Sequence, residues 1–391
     1  MRVGQVTFCG YNYGSVLQCY ATQQELEKHN AECILLVRSE AGIGRVLQSL
    51  EFRSNILYKM IRFPQYNHFF RDSLYQLRKS DIKSEVSEES KQAINAFIQA
   101  RICRSSYSWK QLCSHEKFDF FISGSDQIWS AHWFITNRMW FLRFCPKEKR
   151  VAWMPSFGGE RLEKYNRTTY KKYISDYTFL SVREESGRRI IADLINKEVP
   201  VLADPVFLLS ASEWRKVAAE QTSLFSHPYI MMFFLDKPST LAIKQAEMLK
   251  KDTGAEILYF AYHYADEGNV LVNGGPERFL QMIDNATVVL TDSFHACAFS
   301  AIMHTPFYAF QRNSASGAAQ MVRVINLLNE FSLEKRYITT ENECAMNIEE
   351  LPEMLIDTVL YQMKGRIQKY LEDILRWYEK KGEKNADRFL F

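Results

Sequence analysis

Short apolar runs alternate with longer segments of helical periodicity along the whole chain. The runs lie at residues 3–9, 34–37, 118–123, 151–154, 179–182, 199–202, 229–235, 257–260, 287–290 and 307–310. Runs of four to seven apolar residues between helical segments are typical of buried strands in a parallel sheet. The pattern therefore predicts an α/β fold.

The alternation breaks near residue 205. Asp204 and Pro205 follow the run at 199–202, and a proline keeps the residue before it out of a helix. A single core stops growing at about 250–300 residues, whereas this chain has 391. We predict two Rossmann-like domains facing a cleft, at residues 1–207 and 208–352.

Two segments interrupt this order. Residues 44–110 are predicted to be a helical insertion, and their first part, residues 44–83, carries eight Lys and Arg among aromatic residues. The insertion is expected to pack on the first domain with a solvated basic face; the alternative is a patch that contacts anionic lipid headgroups. Residues 353–391 have the spacing of a long amphipathic helix lying on the body of the protein.

Composition narrows the class of protein. The chain is 47% hydrophobic and 24% charged, as in ordinary globular proteins, and a net charge of +3 gives no argument for nucleic acid. Its eight cysteines form no Cys-x-x-Cys pair, which indicates free thiols in a reducing cytosol. The N-terminus does not resemble a signal peptide, and no apolar run approaches the roughly 20 residues of a membrane span. We therefore predict a cytoplasmic protein.

The strongest candidate for chemistry is the motif of residues 291–295, Thr-Asp-Ser-Phe-His. It lies between a predicted buried strand and an apolar helix, at the edge where open α/β sheets bind ligands. Amides at the start of a helix bind anions, and a histidine can hold a dianion or transfer a proton near neutral pH. The alternative is that Ser293 caps the helix and His295 is an ordinary core histidine.

Several motifs, in order along most of the chain, resemble the polysaccharide pyruvyl transferase family. They are residues 12–21, 124–129, 156–158, 181–184, 202–205, 275–280, 291–295 and 323–328. The sequence departs from the family pattern at Ala296, where glycine is usual, and at Ser130, where asparagine is common. Both departures could alter the fit of an acceptor.

The resemblance implies a two-domain fold like that of the GT-B glycosyltransferases. It also implies transfer of pyruvate from phosphoenolpyruvate to sugar hydroxyls, as a ketal, during synthesis of a bacterial exopolysaccharide or other cell-surface polysaccharide. The acceptor would be a glycan that could be carried on a lipid. No cofactor or metal is required by this chemistry, because phosphoenolpyruvate is already activated.

Phosphoenolpyruvate carries a carboxylate and a phosphate, and arginine binds both anions with a bidentate fork. The residues assigned to the donor are His295, which is also a candidate general acid, with Ser293, Phe294, Arg183 and Arg312. Arg183 and Arg312 each follow a predicted strand, so both are expected to reach into the cleft.

These arginines also have structural alternatives. Arg183 could be a surface residue paired with Glu184, and Arg312 a solvated loop residue. Arg323 and Arg336 could equally form structural ion pairs.

The acceptor is assigned to the turn after the strand at 118–123 and to the first loop of the chain. The residues are Asp126, as the group that orients or deprotonates a hydroxyl, with Gln127, Trp129, Asn12, Gly14 and Ser15. Trp129 would offer an aromatic face to a sugar ring. The alternatives are that Asp126 caps a helix, Trp129 fills the core and the first loop is an ordinary turn.

Two other functions compete with pyruvyl transfer. A nucleotide-sugar glycosyltransferase fits the two-domain fold equally well, but the sequence has no clear Glu-x₇-Glu arrangement to hold a ribose. A sugar-binding protein without catalysis is disfavoured, because Asp126, Arg183, Ser293 and His295 occur together.

Overall fold

The computed structural model describes residues 1–79, 86–114, 117–131, 133, 136–219, 225–261, 270–313, 317 and 321–386. It contains two parallel sheets, one in each half of the chain. The predicted α/β fold of two Rossmann-like domains facing a cleft, as in the GT-B arrangement, is confirmed.

The first domain is built on a sheet of five parallel strands in the order β3-β2-β1-β4-β5. Its elements are β1 (Arg2–Val6), α1 (Tyr13–Lys28), β2 (Glu32–Arg38), α2 (Ile43–Arg62), α3 (Asn67–Lys79), α4 (Glu88–Arg101), β3 (Arg104–Tyr107), α5 (Trp109–Cys113), β4 (Phe120–Ser123), β5 (Arg150–Ala152), α6 (Lys164–Ile174) and α7 (Glu185–Ile195). A 3₁₀ turn at Pro205–Leu208 leads out of this domain.

The second domain has six parallel strands in the order β11-β10-β9-β6-β7-β8. Its elements are α8 (Ala211–Ala218), β6 (Tyr229–Phe233), α9 (Thr240–Thr253), β7 (Glu256–Phe260), β8 (Val270–Val272), α10 (Pro276–Asp284), β9 (Val288–Thr291), α11 (Phe294–Met303), β10 (Phe307–Phe310), α12 (Val322–Glu330), β11 (Tyr337–Ile338) and α13 (Glu353–Ala386). Its central strands β6 and β9 are fully buried, which explains their continuous apolar sequence.

Two predicted strands of the first domain are reduced to single bridges. Residues 179–182 and 199–202 form only the parallel bridges Val151↔Phe179 and Val182↔Val201. Pro200 accepts a hydrogen bond from the Val182 amide but has no N–H to donate, so the ladder does not extend. Strands β3, β8 and β11 were not predicted, because β3 is polar and the apolar runs of β8 and β11 are only three and two residues long.

The predicted helical insertion contains α2, α3 and α4, but its residues 104–107 form β3 of the sheet. Residues 80–85 lie outside the described part of the chain. The expectation that the basic residues of this insertion face solvent is wrong for Lys59. Lys59 is buried, whereas Ile43 and Ile61 on the same helix are 79% and 73% exposed.

The C-terminal helix α13 packs back onto the first domain. Ile367, Leu371 and Ile374 are buried against Val3 and other residues of the first sheet. The Tyr378 ring stacks on Phe120 with centroids 4.4 Å apart. The helix extends over Glu353–Ala386, and residues 387–391 of the predicted segment fall outside the described chain. Within the described chain no helix is long and apolar enough to cross a membrane.

The two domains are joined by Tyr13, the first residue of α1. Its ring packs against Phe233, Phe260 and Phe279 of the second domain at centroid distances of 5.9, 5.4 and 5.1 Å. Its hydroxyl donates to the Gly274 carbonyl at 2.7 Å. The amino end of α1 is therefore anchored in the core of the other domain, and the loop before it is held at the cleft.

This anchor makes a testable contribution to stability. We expect Tyr13→Phe to lower the free energy of unfolding by about 1 kcal/mol, the typical net value of one hydrogen bond. Tyr13→Ala should cost about 3–5 kcal/mol, because it leaves a cavity between the domains. Urea unfolding measures both, with Tyr361→Ala, at a site that is 81% exposed, as the control. A Tyr13→Ala protein as stable as this control would show that the ring does not hold the domains together.

Candidate active site

A cleft of about 380 Å³ lies between the two domains. The first domain contributes the loop after β1, the start of α1 and the turn after β4. The second contributes the loop after β6, the start of α11 and residues beyond β10. The lining residues are Phe8, Cys9, Gly10, Tyr11, Asn12, Ser15, Asp126, Gln127, Trp133, Leu235, Ser293, Phe294, His295, Arg312 and Arg323. Eight of the eleven predicted site residues are among them.

The amino ends of two helices open onto this cleft. Asn12 is the N-cap of α1 and Ser293 is the N-cap of α11. Asn12 Oδ1 accepts from the Ser15 amide at 3.1 Å, and the Ser15 hydroxyl donates to the Asn12 carbonyl at 2.8 Å. Ser293 makes no side-chain capping bond, contrary to the structural alternative for this residue. Two helix N-termini in one cleft favour an anionic ligand.

His295 lies in the first turn of α11 and is only 8% exposed, yet it borders the cleft. Its Nε2 atom lies 3.6 Å from Asp204 Oδ2. Asp204 is buried at the start of the 3₁₀ turn after the first domain, where its Oδ1 accepts from the Val206 amide at 3.1 Å. The histidine of one domain is thus backed by a carboxylate of the other.

Asp204 is charged because Arg183 and His295 compensate its burial. Burial raises the pKa of this carboxyl, but Arg183 and His295 outweigh that effect and lower the pKa to about 2. Arg183 Nη1 donates to Asp204 Oδ2. Burial likewise disfavours the charged Arg183, yet Asp204, Asp126 and Glu184 raise its pKa above the usual value.

The prediction that Arg183 reaches into the cleft is wrong. Its side chain is 3% exposed, and its guanidinium lies behind the ring of Phe294, with Cζ 5.3 Å from the ring centroid. The alternative of a surface residue paired with Glu184 is wrong about the surface, because Arg183 is buried, although its Nε lies 4.0 Å from Glu184 Oε2. Arg183 is also held by Asp204 and lies 3.9 Å from Asp126 Oδ1. Arg183 therefore stabilises the carboxylates around the cleft instead of lining it.

Two other arginines occupy the place predicted for the donor cations. Arg312 lines the cleft as predicted, and its Nε donates to the Asp292 carbonyl at 3.2 Å. Arg323, which the sequence left undecided, also lines the cleft. Burial, together with Arg183 and Arg312, lowers the pKa of Arg323 to about 9, so it remains a cation at neutral pH. With its amide oxygen turned toward Arg323, Gln127 accepts from Nη1 at 3.1 Å and Nη2 at 2.5 Å.

Asp292, between Thr291 and Ser293, has a structural role in holding the loop after β6. Its Oδ1 and Oδ2 accept from the amides of Leu235 and Asp236 at 2.7 and 3.0 Å. Burial raises the pKa of this carboxyl to about 6, against the opposing effect of Arg312. Asp292 thus ties the loop after β6 to the end of β9.

Asp126 lies on the opposite wall from His295. It adopts a left-handed backbone conformation, with φ of 60°, in a turn after β4, and no helix begins there. Its Oδ1 accepts from the Gln127 amide at 2.8 Å, and its side chain is 15% exposed. A carboxylate on this wall is positioned to accept a proton from a bound hydroxyl.

Trp129 does not offer a face to the cleft. It is fully buried, its ring stacks on Phe141 at 5.3 Å, and its Nε1 donates to the Trp140 carbonyl at 3.2 Å. The acceptor role predicted for Trp129 is therefore wrong. Trp133, four residues later, is 38% exposed and lines the cleft.

Gly14 makes room for the side chain of His295 and does not contact an acceptor. A Cβ at this position would lie 1.9 Å from His295 Nδ1, so only glycine leaves room for the imidazole. Gly14 is not one of the lining residues, and its predicted role as an acceptor contact is corrected to that of a steric slot.

Sequence reasoning did not assign Trp133 to the site and left Arg323 undecided. Asp204 was recognised only as part of the motif at residues 202–205 and as the end of a domain, and it was given no role in the site. Within the described chain, no group of three or more His, Cys, Asp or Glu residues is arranged to hold a metal ion.

The family model of the polysaccharide pyruvyl transferases matches residues 12–314. None of the curated proteins compared matches the chain. Among solved structures, UDP-GlcNAc 2-epimerase from Neisseria meningitidis is 10% identical, with 96% of this chain and 100% of that chain covered and a TM-score of 0.47.

Two further solved structures are similar at the same level. The E. coli heptosyltransferase WaaC is 12% identical over 95% of this chain and 100% of that chain, with a TM-score of 0.37. MurG from Acinetobacter baumannii is 9% identical over 97% of this chain and 99% of that chain, with a TM-score of 0.40. Scores below 0.5 decide nothing about chemistry.

The steric slot at Gly14 can be tested with inorganic phosphate. Gly14→Ala should weaken phosphate binding at least tenfold, because the new methyl group displaces His295 from the anion site. Gly365→Ala, in α13 and outside the cleft, is the control, since nothing lies within 4 Å of a Cβ there. Calorimetric titration measures both affinities. Equal phosphate affinity in the two variants would show that His295 is not part of the anion site.

The Asp204 charge predicts a specific pH dependence. Because the pKa of Asp204 is lowered from 3.8 to about 2, its stabilising contribution is complete above pH 4 and is lost as the pH falls toward 2. The loss should be on the order of 2 kcal/mol. Asp204→Asn should cost about 3–5 kcal/mol at pH 7, because it leaves Arg183 uncompensated.

The difference in unfolding free energy between wild type and Asp204→Asn, measured in urea, should therefore shrink as the pH falls from 4 to 2. Asp357→Asn, at a carboxylate that is 62% exposed, is the control for general acid effects. If the difference in unfolding free energy stays constant over this pH range, Asp204 is not charged in the folded protein.

Proposed function

The chain belongs to the polysaccharide pyruvyl transferase family, and we propose that it transfers pyruvate from phosphoenolpyruvate to a pair of sugar hydroxyls as a ketal. The product would be a glycan of an exopolysaccharide or another cell-surface polysaccharide. The observation that carries this proposal is the set of cationic groups and helix N-termini in one cleft. Arg312, Arg323 and His295 lie there with the amino ends of α1 and α11.

This set suits a small donor with two anionic groups. The guanidinium groups of Arg312 and Arg323 would bind the phosphate and carboxylate oxygens through paired N–H donors. The Ser293 hydroxyl and the first amides of α11 would complete the phosphate end. Phe294, whose ring borders the cleft, would position the enol frame.

The proposed reaction needs an acid, a base and an expelled phosphate. His295, backed by Asp204, would donate a proton to the methylene carbon C3 of phosphoenolpyruvate, and the positive charge would develop at C2. One sugar hydroxyl attacks C2, the C2–O bond to phosphate breaks, and the second hydroxyl then closes the ketal. Of the two hydroxyl protons released, one balances the proton taken up at C3 and the other leaves with phosphate or water.

The other wall of the cleft would hold the acceptor. Asp126 would accept the proton of the attacking hydroxyl, and Gln127 and Asn12 would orient the sugar. Trp133 offers an exposed aromatic face of the kind that stacks on sugar rings. We propose a lipid-linked glycan precursor, met on the cytoplasmic side of the membrane, as the acceptor.

Ligand stabilisation tests the donor. Phosphoenolpyruvate at a hundredfold excess over its Kd should stabilise the protein by about 2.7 kcal/mol, whereas UDP-glucose and UDP-GlcNAc should not. Thermal unfolding with inorganic phosphate at the same concentration controls for simple anion binding. Stabilisation by a nucleotide sugar but not by phosphoenolpyruvate would make the protein a glycosyltransferase.

Turnover tests the acid. His295→Gln should lower phosphate release from phosphoenolpyruvate, with a panel of glycan acceptors, by about 10²–10⁴-fold. His304→Gln is the control, because this histidine pairs with the exposed Asp357 at 2.9 Å outside the cleft. Full activity of His295→Gln would exclude His295 as the acid.

A further inference from the structure

Helix α2 presents a row of large apolar side chains to solvent. We call this row the apolar face of α2; its members are Ile43, Val46, Leu47, Leu50, Leu57, Tyr58 and Ile61, each 53–79% exposed. Spacings of three and four residues place them on one side of the helix, where only Ser54 interrupts the row. Exposed apolar patches of this kind usually mark an interaction site.

The opposite side of α2 attaches the helix to the first domain. Ile56 and Lys59 are buried, and Lys59 Nζ donates to Asn166 Oδ1 at 2.7 Å. Lys59 also lies over the ring of Tyr165, 5.2 Å from its centroid. These contacts fix the rotation of the helix, so the apolar face of α2 points away from the body.

Arginines flank the apolar face of α2 on both sides. At 100° per residue, Arg53 and Arg62 fall roughly 80° and 100° from its centre, in opposite directions, and both are exposed. Glu51, the acidic residue of α2, is close to Arg38 and Arg138, at 3.8 and 3.4 Å. The surface that surrounds the apolar row is therefore net positive.

We infer that the apolar face of α2 docks on an anionic phospholipid surface. A helix with bulky apolar residues on one side and arginines at its flanks lies in the headgroup region, with the apolar side chains inserted and the arginines at the phosphates. The row from Val46 to Tyr58 spans roughly 120° of the helix, wider than the narrow seam of a two-helix coil. The width and the flanking charge favour lipid over a second copy of this chain.

The side of α2 opposite its apolar face adjoins the acceptor wall of the cleft. Asn166, the partner of Lys59, donates through Nδ2 to the Trp133 carbonyl at 2.7 Å, and Trp133 lines the cleft. Docking through α2 would therefore bring the acceptor wall close to the membrane. This step rests on the proposed function, because a lipid-linked acceptor would enter the cleft from that side.

Vesicle flotation tests the inference with the full-length protein. Wild type should float with vesicles of phosphatidylglycerol and phosphatidylcholine at low salt, and much less with phosphatidylcholine alone or at high salt, because the arginine contribution is screened. Leu50→Gln with Leu57→Gln should weaken partitioning at least tenfold. Arg53→Gln with Arg62→Gln should weaken it about 25-fold, since each arginine near an anionic surface contributes about fivefold.

The matched control is Met354→Gln with Tyr361→Gln, two apolar residues of α13 that are 85% and 81% exposed; it should float like wild type. Light scattering without vesicles gives the mass of each protein. A wild-type dimer that Leu50→Gln with Leu57→Gln converts to a monomer, without flotation of either, would overturn the inference in favour of a second copy. Equal flotation of all variants would overturn it as well.

The stabilisation by phosphoenolpyruvate is measured on the same proteins and separates the two proposals. If docking is lost in the α2 variants while this stabilisation remains, the inference holds independently of the donor site. If no protein responds to phosphoenolpyruvate, the proposed donor fails, whereas flotation still decides the docking face.

Discussion

Asp204 is a buried carboxylate, and the geometry of the cleft depends on how its charge is compensated. A buried charge without a partner is very costly, so Arg183 and His295 must both stay close to it. Arg183 and Asp204 come from the first domain and His295 from the second. The same three side chains therefore stabilise the contact between the domains and fix the imidazole at the cleft.

The packing of α1 supports this cluster from the other side. Tyr13 anchors the amino end of α1 among aromatic residues of the second domain, and Gly14 leaves the space that His295 occupies. The anion site is consequently assembled from both halves of the chain. The side chains of His295 and Arg312 in this site are largely buried.

The sequence predicted the architecture well, because buried parallel strands such as β6 and β9 are continuous apolar runs. It also located the cleft, since polar residues at the ends of such strands share one edge of a sheet. It did not predict which tryptophan faces the ligand: Trp129 and Trp133 differ only in the course of the turn after β4. Nor did it show that Arg183 lies behind Phe294, because that depends on the path of the segment leading to Asp204. For α2, the sequence indicated a helix with a basic face, and the outward-facing row of apolar side chains was not predicted.

The glycine slot beside His295 has a consequence for how the two domains can change. Residue 14 belongs to one domain and the imidazole it accommodates belongs to the other, so neither position can vary without the other. A chimera that combines the first domain of one relative with the second domain of another would retain its histidine geometry only if the glycine comes with it. The two halves of this chain are therefore sterically matched at this position and are not interchangeable modules.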